Sequence, residues 1–516
     1  MSSFSAASEN AGTIDGPFEY ITSHEASENL RHALCIWAIA IFSASNVAYH
    51  ALRFYLVVKT IFVKLFISAM GTKHRQRVKR RNLLSKKHPP SISSPLPNVL
   101  FLLFSACALR WILSAHSGFP LSLKRRMDLT LNTPIPYWYG QDSGLDLPPL
   151  AGYHSYLLAQ VSANVTPNIF TRNQNTVEDE IFVRAATLLT DAFVMFPAVI
   201  SLLEPRFSAL ALCLPAVLLT DYVLYGFSCV SLGLSFLTFR AAKSKKVVQM
   251  AFWYSMAINF KGSVIYFALP IVTYALSLCL GEGIFPGLSA ILVMGLAFGV
   301  IWVPWLCGNL DAVGCILHRL ANVDETFVGV KLANVWSLMT PEVQNEETLC
   351  YTALFLVLSV CFHVALHPDY DTLKLAVVNT LLAWLLFACH PSTWLLVLAM
   401  SAALFDEFPG FGVFLVLTAT SNMFVAFIDY FWAYFGLVMV YVGSAHIVTP
   451  GMNWIMWIAF LFGQSLNLCR LFDPVFEEMC PLYNFICLVA AFLFLYNSQL
   501  RSKQNKNQDF EAVLIQ

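Results

Sequence analysis

PGLSAILVMGLAFGVIWVPW, residues 286–305, is a stretch of 20 residues without a charged side chain. A helix needs roughly 20 predominantly apolar residues to cross the hydrocarbon core of a bilayer. The whole chain has the same character, because 58% of its 516 residues are hydrophobic and only 12% are charged, against about 25% charged residues in soluble proteins. The sequence therefore predicts an all-α polytopic membrane protein whose main partner is the lipid bilayer, and it excludes an ordinary soluble globular protein.

Further apolar runs follow one another along the chain, and their lengths predict roughly 11 to 14 spans. These runs are residues 97–115, 182–203, 207–223, 225–239, 264–280, 350–366, 375–404, 411–447, 452–466 and 483–498.

Clusters of basic residues between the apolar runs indicate the sidedness. Residues 73–90, 240–246 and 501–506 are rich in Lys and Arg, and such segments remain on the cytoplasmic side. Residues 116–181 then lie on the lumenal or external side. The 31 basic and 31 acidic residues of the chain cancel, so we expect no nucleic-acid partner.

The domain organisation follows from these segments. Two hydrophilic stretches, residues 116–181 and 308–349, are large enough to hold a site and are predicted to be lumenal loops of one multi-span domain. The predicted parts are a disordered cytosolic tail (1–32), a divergent apolar segment with a basic cytosolic stretch (33–96), the multi-span domain (97–500) and a second cytosolic tail (501–516).

Familiar sequence motifs of soluble enzymes are absent. The 13 cysteines have no regular short spacing, so neither a disulfide scaffold nor a zinc site is indicated. There is no Walker loop, dinucleotide fingerprint, His-Glu-x-x-His or Gly-x-Ser-x-Gly motif. Asp369-Tyr370-Asp371 has the Asp-x-Asp pattern of metal-binding nucleotide-sugar enzymes. It lies in a short connector without a surrounding α/β pattern, which argues against a metal site.

Four ionisable residues fall inside or at the ends of apolar runs, namely Asp191, Asp221, Lys261 and Asp429. Charged groups are costly in hydrocarbon, so each should face protein or a wet cavity. One interpretation is a polar pathway or a phosphate contact, for which Lys261 is the best cation. Interhelical salt bridges or helix ends at the headgroups explain the same residues equally well.

The first hydrophilic stretch contains WYGQDSGLDLPPLAGYHSYL, residues 138–157. The Pro148-Pro149 pair has fixed φ angles and no backbone donor, so it can hold a rigid segment. Asp146, Tyr153 and His154 offer acceptors and donors suited to hydroxyl-rich ligands. A structural loop cap is the alternative explanation of this composition.

The same twenty residues closely resemble the first lumenal loop of the endoplasmic reticulum α-1,3-glucosyltransferases that use dolichyl phosphate glucose, whose characteristic run is Gly-Leu-Asp-Tyr-Pro-Pro-Leu-Thr-Ala-Tyr-His-Ser. Three further blocks, residues 179–193, 258–270 and 318–338, are similar to family segments and occur in the family's order. The resemblance covers roughly residues 97–500, and it favours the branch that adds the first glucose to the N-glycan precursor.

The resemblance implies a GT-C glycosyltransferase-like helical bundle with a lumenal pocket. It implies dolichyl phosphate glucose as the donor and a dolichyl-diphosphate-linked high-mannose oligosaccharide as the acceptor. In the family, a carboxylate deprotonates the mannose 3-hydroxyl, which displaces dolichyl phosphate with inversion. We expect no metal and no cofactor. General-base help and charge stabilisation of the leaving phosphate suffice for such chemistry.

The resemblance also suggests site residues. Phe119 stands near the position of the family's expected catalytic aspartate, which leaves two loop carboxylates as candidates: Asp146 as a base or acceptor-positioning group, and Asp128 as a weaker substitute. Lys261, Arg319 and Lys331 are candidates for the donor phosphate. The remaining substrate-binding candidates are Tyr153, His154, Trp336 and His390.

Two other functions compete with the transferase. The residue at Phe119 suggests a catalytically silent relative that binds lipid-linked oligosaccharide or a partner enzyme. Span number and intramembrane charges suggest a secondary transporter, which an inverted internal repeat would favour. No such repeat is evident in the sequence.

Overall fold

The computed structural model describes most of the chain from residue 96 onward, and all structural statements concern these residues. They are 96–115, 120–139, 145–166, 169–170, 176–308, 310–321, 346–387, 400–424, 429–448, 454–469, 479–480 and 482–499. The two predicted cytosolic tails and nearly all of the segment 33–96 lie outside them. Within the described residues the secondary structure is helical throughout and includes no strand.

The helices are numbered in chain order. They are α1 (Leu96–Ser114), α2 (Leu121–Asn132), α3 (Pro149–Val165), α4 (Val177–Phe193), α5 (Met195–Leu202), α6 (Pro205–Leu212), α7 (Pro215–Tyr222), α8 (Ser228–Lys243), α9 (Val247–Phe260), α10 (Ala268–Glu282), α11 (Ile284–Gly308), α12 (Leu310–Ala321), α13 (Glu346–Leu366), α14 (Tyr370–Phe387), α15 (Pro409–Asn422), α16 (Phe431–Val448), α17 (Trp454–Cys469) and α18 (Leu482–Gln499). Short 3-10 helices occupy Ile135–Tyr137, Gly262–Phe267 and Ala402–Leu404.

Five stretches of helix in the described part are long and apolar enough to cross a membrane: Val177–Leu202, Gly262–Leu280, Phe285–Gly308, Tyr370–Phe387 and Leu482–Gln499. Four shorter apolar helices accompany them. Only helices and closed barrels satisfy every backbone polar group in lipid. The prediction of an all-α, multi-pass membrane protein is therefore confirmed.

One predicted span is wrong. Residues 205–222, which the apolar run 207–223 assigned to a single crossing, form the two helices α6 and α7 of eight residues each. Each is about 12 Å long, far short of the roughly 30 Å hydrocarbon core. Pro205 and Pro215 stand at the first position of each helix, where proline is tolerated because its missing N–H has no helical partner there. Proline inside a continuous helix would break the ladder.

The chain direction of the central helices defines two ends of the bundle. Helices α8 and α9 pack against each other and are joined by a turn at residues 244–246. The Tyr274 hydroxyl donates a hydrogen bond to the Ala242 carbonyl oxygen at 3.1 Å, so α10 returns to that turn. Helix α11 then leads to Trp305 at the other end. We call the end with residues 240–246 the basic side and the end with Trp305 the loop side.

The Asp369-Tyr370-Asp371 motif lies on the basic side. The Nζ of Lys243 lies 5.8 Å from the centre of the Tyr370 ring. The Nζ of Lys374, whose side chain is 3% exposed, is 3.4 Å from a carboxylate oxygen of Asp371 and 3.4 Å from one of Glu407. Burial raises the pKa of Glu407, and Asp371 adds to this rise. The motif is thus part of an ion-pair network, which the sequence did not predict, at the end of the bundle opposite the first hydrophilic stretch.

Candidate functional site

The first hydrophilic stretch is held in place by two aromatic side chains. Trp138 and Tyr139 are fully buried. The Trp138 indole Nε1 donates to the Thr133 carbonyl oxygen at 2.9 Å, and the Tyr139 hydroxyl donates to the Leu147 carbonyl oxygen at 2.7 Å. Both hydrogen bonds close the chain onto itself between α2 and α3. The segment is therefore a built structure rather than a loose connector.

Helix α3 begins where the sequence predicts a rigid segment. Pro149 occupies its first position and Pro148 precedes it in an extended conformation, an arrangement that suits a helix start. Gly152, in the first turn, allows a close approach: a Cβ atom there would lie 3.3 Å from the Trp138 ring and 3.3 Å from the Tyr139 hydroxyl oxygen. The absence of a side chain at Gly152 therefore lets both aromatic residues pack on α3.

The aromatic residues of the first stretch meet the start of the second one. Trp305, at the loop-side end of α11, lies with its ring centre 6.2 Å from Trp138, 5.2 Å from Tyr139 and 5.7 Å from Tyr153. Ala312 and Ile316 of α12 belong to the same buried cluster. The two hydrophilic stretches, which the sequence separates by more than 120 residues, therefore lie on the same side of the bundle.

Asp146 and Asp128, the two predicted catalytic carboxylates, differ in what holds them. The Asp146 oxygens Oδ1 and Oδ2 accept hydrogen bonds from Nε and Nη2 of Arg126, both at 3.3 Å, and the Asp146 side chain is 65% exposed. Asp128 is exposed on α2 and its Oδ1 accepts from Nδ2 of Asn132 at 2.8 Å. Only Asp146 is oriented by a cation from another segment.

Tyr153 and His154, the predicted sugar contacts, are directed into the protein. The Tyr153 hydroxyl donates to the Ile301 carbonyl oxygen at 3.0 Å, which ties α3 to α11. The His154 ring lies between the rings of Phe227 and Phe260, 4.8 and 5.6 Å away between centres. Burial lowers the pKa of His154 to about 4, so the imidazole is neutral at physiological pH.

Lys261 belongs to the segments that enclose this histidine. It directly follows Phe260 at the end of α9, and its Nζ donates to the Ser228 hydroxyl at 3.1 Å. Ser228 in turn follows Phe227, so the structure brings His154 and Lys261 to one place. The 3-10 helix after Lys261 packs against α12, the helix that contains Arg319. The Arg319 side chain, Lys331, Trp336, His390 and Phe119 lie outside the described residues.

A buried polar network connects α1, α4 and α7. The Arg110 Nε is 3.0 Å from Oδ2 of Asp191, and both side chains are at most 2% exposed. The same oxygen accepts from the Tyr222 hydroxyl at 2.7 Å. Asp221 accepts the backbone N–H groups of Ser228 and Cys229 and so caps α8. Asp191 therefore forms a salt bridge between helices, as one of the explanations expected. Asp221 is fully buried and caps α8, so it does not lie at a helix end among the headgroups.

Ligand atoms of Asp191, Asp221 and Cys229 lie within 4.8 Å of one another, which is a spacing that a metal ion could use. The guanidinium of Arg110 already compensates the charge of Asp191. The two carboxylate oxygens of Asp221 are bonded by backbone N–H groups. The donor set thus serves the packing of helices and does not fit a cation.

Comparison with known proteins finds a family match for part of the chain. Residues 124–346 match the sequence profile described as the ALG6, ALG8 glycosyltransferase family. This segment of the chain is therefore similar to that family. The matched residues run from α2 to the start of α13. They include most of both hydrophilic stretches, the Arg126–Asp146 pair, Tyr153, His154 and Lys261.

Several curated relatives are named as glucosyltransferases. The chain is 28% identical over 347 residues to the probable dolichyl pyrophosphate Man9GlcNAc2 alpha-1,3-glucosyltransferase of Drosophila melanogaster, a match that covers 58% of this chain and 73% of the fly protein. It is 27% identical to the corresponding Gallus gallus enzyme, with 57% of this chain and 66% of the chicken protein covered. The probable Caenorhabditis elegans enzyme is 24% identical, with 74% of this chain and 83% of the worm protein covered.

The sequence did not single out two residues of the candidate site, Arg126 and Trp305. Arg126 lies in a run of three basic residues, Lys124 to Arg126, and nothing local distinguishes it from its neighbours. Trp305 ends an apolar run, where aromatic residues commonly mark the membrane interface, so a signal existed. Its contact with Trp138 depends on long-range packing, which that signal does not contain.

Proposed function

We propose that this chain is a multi-pass endoplasmic reticulum membrane enzyme that transfers glucose from dolichyl phosphate glucose to the mannose arm of a dolichyl-diphosphate-linked high-mannose oligosaccharide. One observation carries the proposal: within the family domain, Trp138 and Tyr139 fix the first loop on the end of the span α11. That contact holds Asp146, an oriented and exposed carboxylate, at one end of a membrane bundle. A lipid-linked sugar presents its reacting atoms at the same level.

The reaction forms one glycosidic bond and breaks one sugar–phosphate bond. The oxygen of the mannose 3-hydroxyl attacks C1 of glucose from the face opposite the phosphate, so the anomeric centre inverts. The hydroxyl proton passes to a carboxylate, and dolichyl phosphate leaves with the bonding electron pair. General-base help typically contributes 10²- to 10⁴-fold to such a step, and cations stabilise the negative charge on the leaving phosphate.

The roles of individual residues follow this chemistry. Asp146 is the carboxylate that accepts from the acceptor hydroxyl, with Asp128 as a weaker substitute. Lys261, Arg319 and Lys331 contact the donor phosphate. Neutral His154 shapes the wall beside Lys261 rather than supplying charge, because it is buried between Phe227 and Phe260.

A reconstitution experiment tests the activity. Membranes from cells that lack the first-glucose enzyme are incubated with dolichyl phosphate glucose, with and without this chain, and the lipid-linked oligosaccharide is measured by mass. We expect a gain of one hexose only when the chain is present. Omission of the donor is the matched control, because it leaves the membranes and the chain unchanged.

Other outcomes of this experiment would change the proposed function. A chain that is folded and abundant in these membranes, yet adds no hexose, overturns the transferase function. Retained binding of the oligosaccharide without transfer would then identify a silent relative. A hexose added to an acceptor that already carries one glucose would correct the acceptor but keep the reaction class.

A further inference from the structure

The carboxylate of Asp146 is oriented by two independent constraints. Its backbone is fixed on both sides, because Leu145 is fully buried and the Leu147 carbonyl oxygen accepts the Tyr139 hydroxyl. Its side chain is fixed by Arg126, whose Nε and Nη2 each donate to a different carboxylate oxygen. Two parallel hydrogen bonds of this kind define the plane of the carboxylate as well as its position.

Arg126 itself is held by the helix from which it projects. Its neighbour Met127 is fully buried, and α2 packs along α3. The Arg126 carbonyl oxygen accepts the hydroxyl of Thr130 at 2.9 Å. The Arg126 side chain, 26% exposed, therefore reaches Asp146 from a fixed backbone position.

The geometry leaves Asp146 able to bind a further donor. An ionised carboxylate has about four lone-pair positions on its two oxygens, and Arg126 takes one on each oxygen. The Asp146 side chain is 65% exposed, and in the described part of the chain Arg126 is its only hydrogen-bond partner. Because the side chain is mostly exposed, a sugar hydroxyl can donate to the remaining lone pairs.

We propose that Arg126 is a positioning residue for Asp146: it fixes the plane of the carboxylate so that the free lone pairs receive a hydroxyl of the acceptor oligosaccharide. This inference rests on the proposed function, and it assigns the role of Asp146 to the acceptor rather than to the donor phosphate. Stability does not explain the pair, since ion pairs exposed to this extent stabilise a fold little.

Substitutions on α2 test the assignment. Arg126→Ala frees the carboxylate, and we expect kcat/KM for the acceptor oligosaccharide to fall about 10- to 100-fold, because small misplacements of reacting groups cost this much. Arg126→Lys keeps the charge but not the planar fork, so it should recover only a minor part of the rate. Arg125→Ala is the matched control, since it removes an exposed arginine from the adjacent position, and it should leave the rate unchanged.

Two double variants separate positioning from other roles. If Arg126 acts through Asp146, the double variant Arg126→Ala with Asp146→Asn should transfer glucose as fast as Asp146→Asn alone, within about twofold. A double variant whose loss of rate is the product of the two single losses would overturn the assignment. The exchanged pair, Arg126→Asp with Asp146→Arg, keeps an ion pair between the same positions. We expect this variant to fold and to remain inactive. Recovered transfer would show that the pair only holds the two segments together.

The parent chain keeps the two proposals distinct. If the parent adds no hexose, the proposed function fails, and the positioning role fails with it. If the parent is active and the Arg126 variants match it, only the positioning role is overturned. Protein abundance and thermal stability in detergent are measured for each variant, so that a folding defect is not read as a loss of positioning.

Discussion

Tyr153 and Ile301 are 148 positions apart in the chain, and the Tyr153 hydroxyl donates a hydrogen bond to the Ile301 carbonyl oxygen at 3.0 Å. The contact joins α3, which starts three residues after Asp146, to the apolar span α11. The position of the first loop therefore depends on a membrane helix, and the two cannot shift independently.

Tyr153→Phe removes this link while keeping the ring in the aromatic cluster. We expect the free energy of unfolding to fall by about 1 kcal/mol and glucosyl transfer to fall several-fold, measured by thermal unfolding in detergent and by hexose addition. Tyr156→Phe is the control, because its hydroxyl accepts only from Gln160 of the same helix at 3.1 Å among the described contacts. Equal effects of the two variants would contradict a role for the link between helices.

The membrane architecture was predictable because its cause is local. A run such as 286–305 must be helical in lipid, whatever the rest of the chain does, and the structure has a span at Phe285–Gly308. The break between α6 and α7 was also present in the sequence, at Pro215, although the length of the apolar run concealed it.

The site was less predictable because its contacts are long-range. The sequence identified Asp146, Tyr153 and His154 as polar residues of one loop, but the fork of Arg126 and the contact with Trp305 depend on how α2 and α11 pack. His154 has the composition of a ligand contact, yet it is enclosed by Phe227 and Phe260. Burial of this kind is decided by tertiary packing.

The buried ion pair of Arg110 and Asp191 provides a stability test. Asp191→Asn leaves a guanidinium without its carboxylate in the interior, and breaking a buried pair in this way costs about 3 to 5 kcal/mol. We expect a sharp loss of folded protein in detergent. Glu204→Gln, which breaks an exposed pair with Arg206 whose side chains are both 60% exposed, should cost less than about 1 kcal/mol. Similar losses in both variants would argue against the buried pair.

Burial of His154 should make the free energy of unfolding depend on pH. Its folded pKa of about 4 lies below the ordinary value of 6.5, because burial disfavours the charged ring. The unfolded chain therefore binds the proton first, and stability falls as the pH drops from about 6.5 toward 4, by about 3 kcal/mol in total. His154→Gln should flatten this slope in thermal unfolding measured across that pH range.

The control for this slope is His446→Gln, which removes an exposed histidine by the same replacement. It should retain the slope of the parent protein. A parent slope that survives His154→Gln would mean that other groups dominate the acid sensitivity.

The two ends of the bundle should be separated by the membrane. Ser244 is exposed on the basic side, and Cys307 is exposed on the loop side. In sealed microsomes from a chain whose other cysteines are replaced, a membrane-impermeant thiol reagent should label Ser244→Cys directly. It should label Cys307 only after permeabilisation, because basic segments remain cytoplasmic. Labelling of both without permeabilisation would contradict the assigned sidedness.

The last test compares the two candidate carboxylates. Asp146 is fixed by Arg126 beside the buried Leu145, whereas the Asp128 oxygen is bonded by Asn132 on its own helix. A fixed carboxylate can act on a substrate hydroxyl without first losing conformational freedom. Asp146→Asn should therefore lower glucosyl transfer by about 100-fold or more, while Asp128→Asn lowers it by less than about threefold. Both side chains are exposed, so both variants should accumulate like the parent chain. A reversed order, with Asp128→Asn the slower enzyme at equal abundance, would move the base to α2 and remove Asp146 from the chemistry.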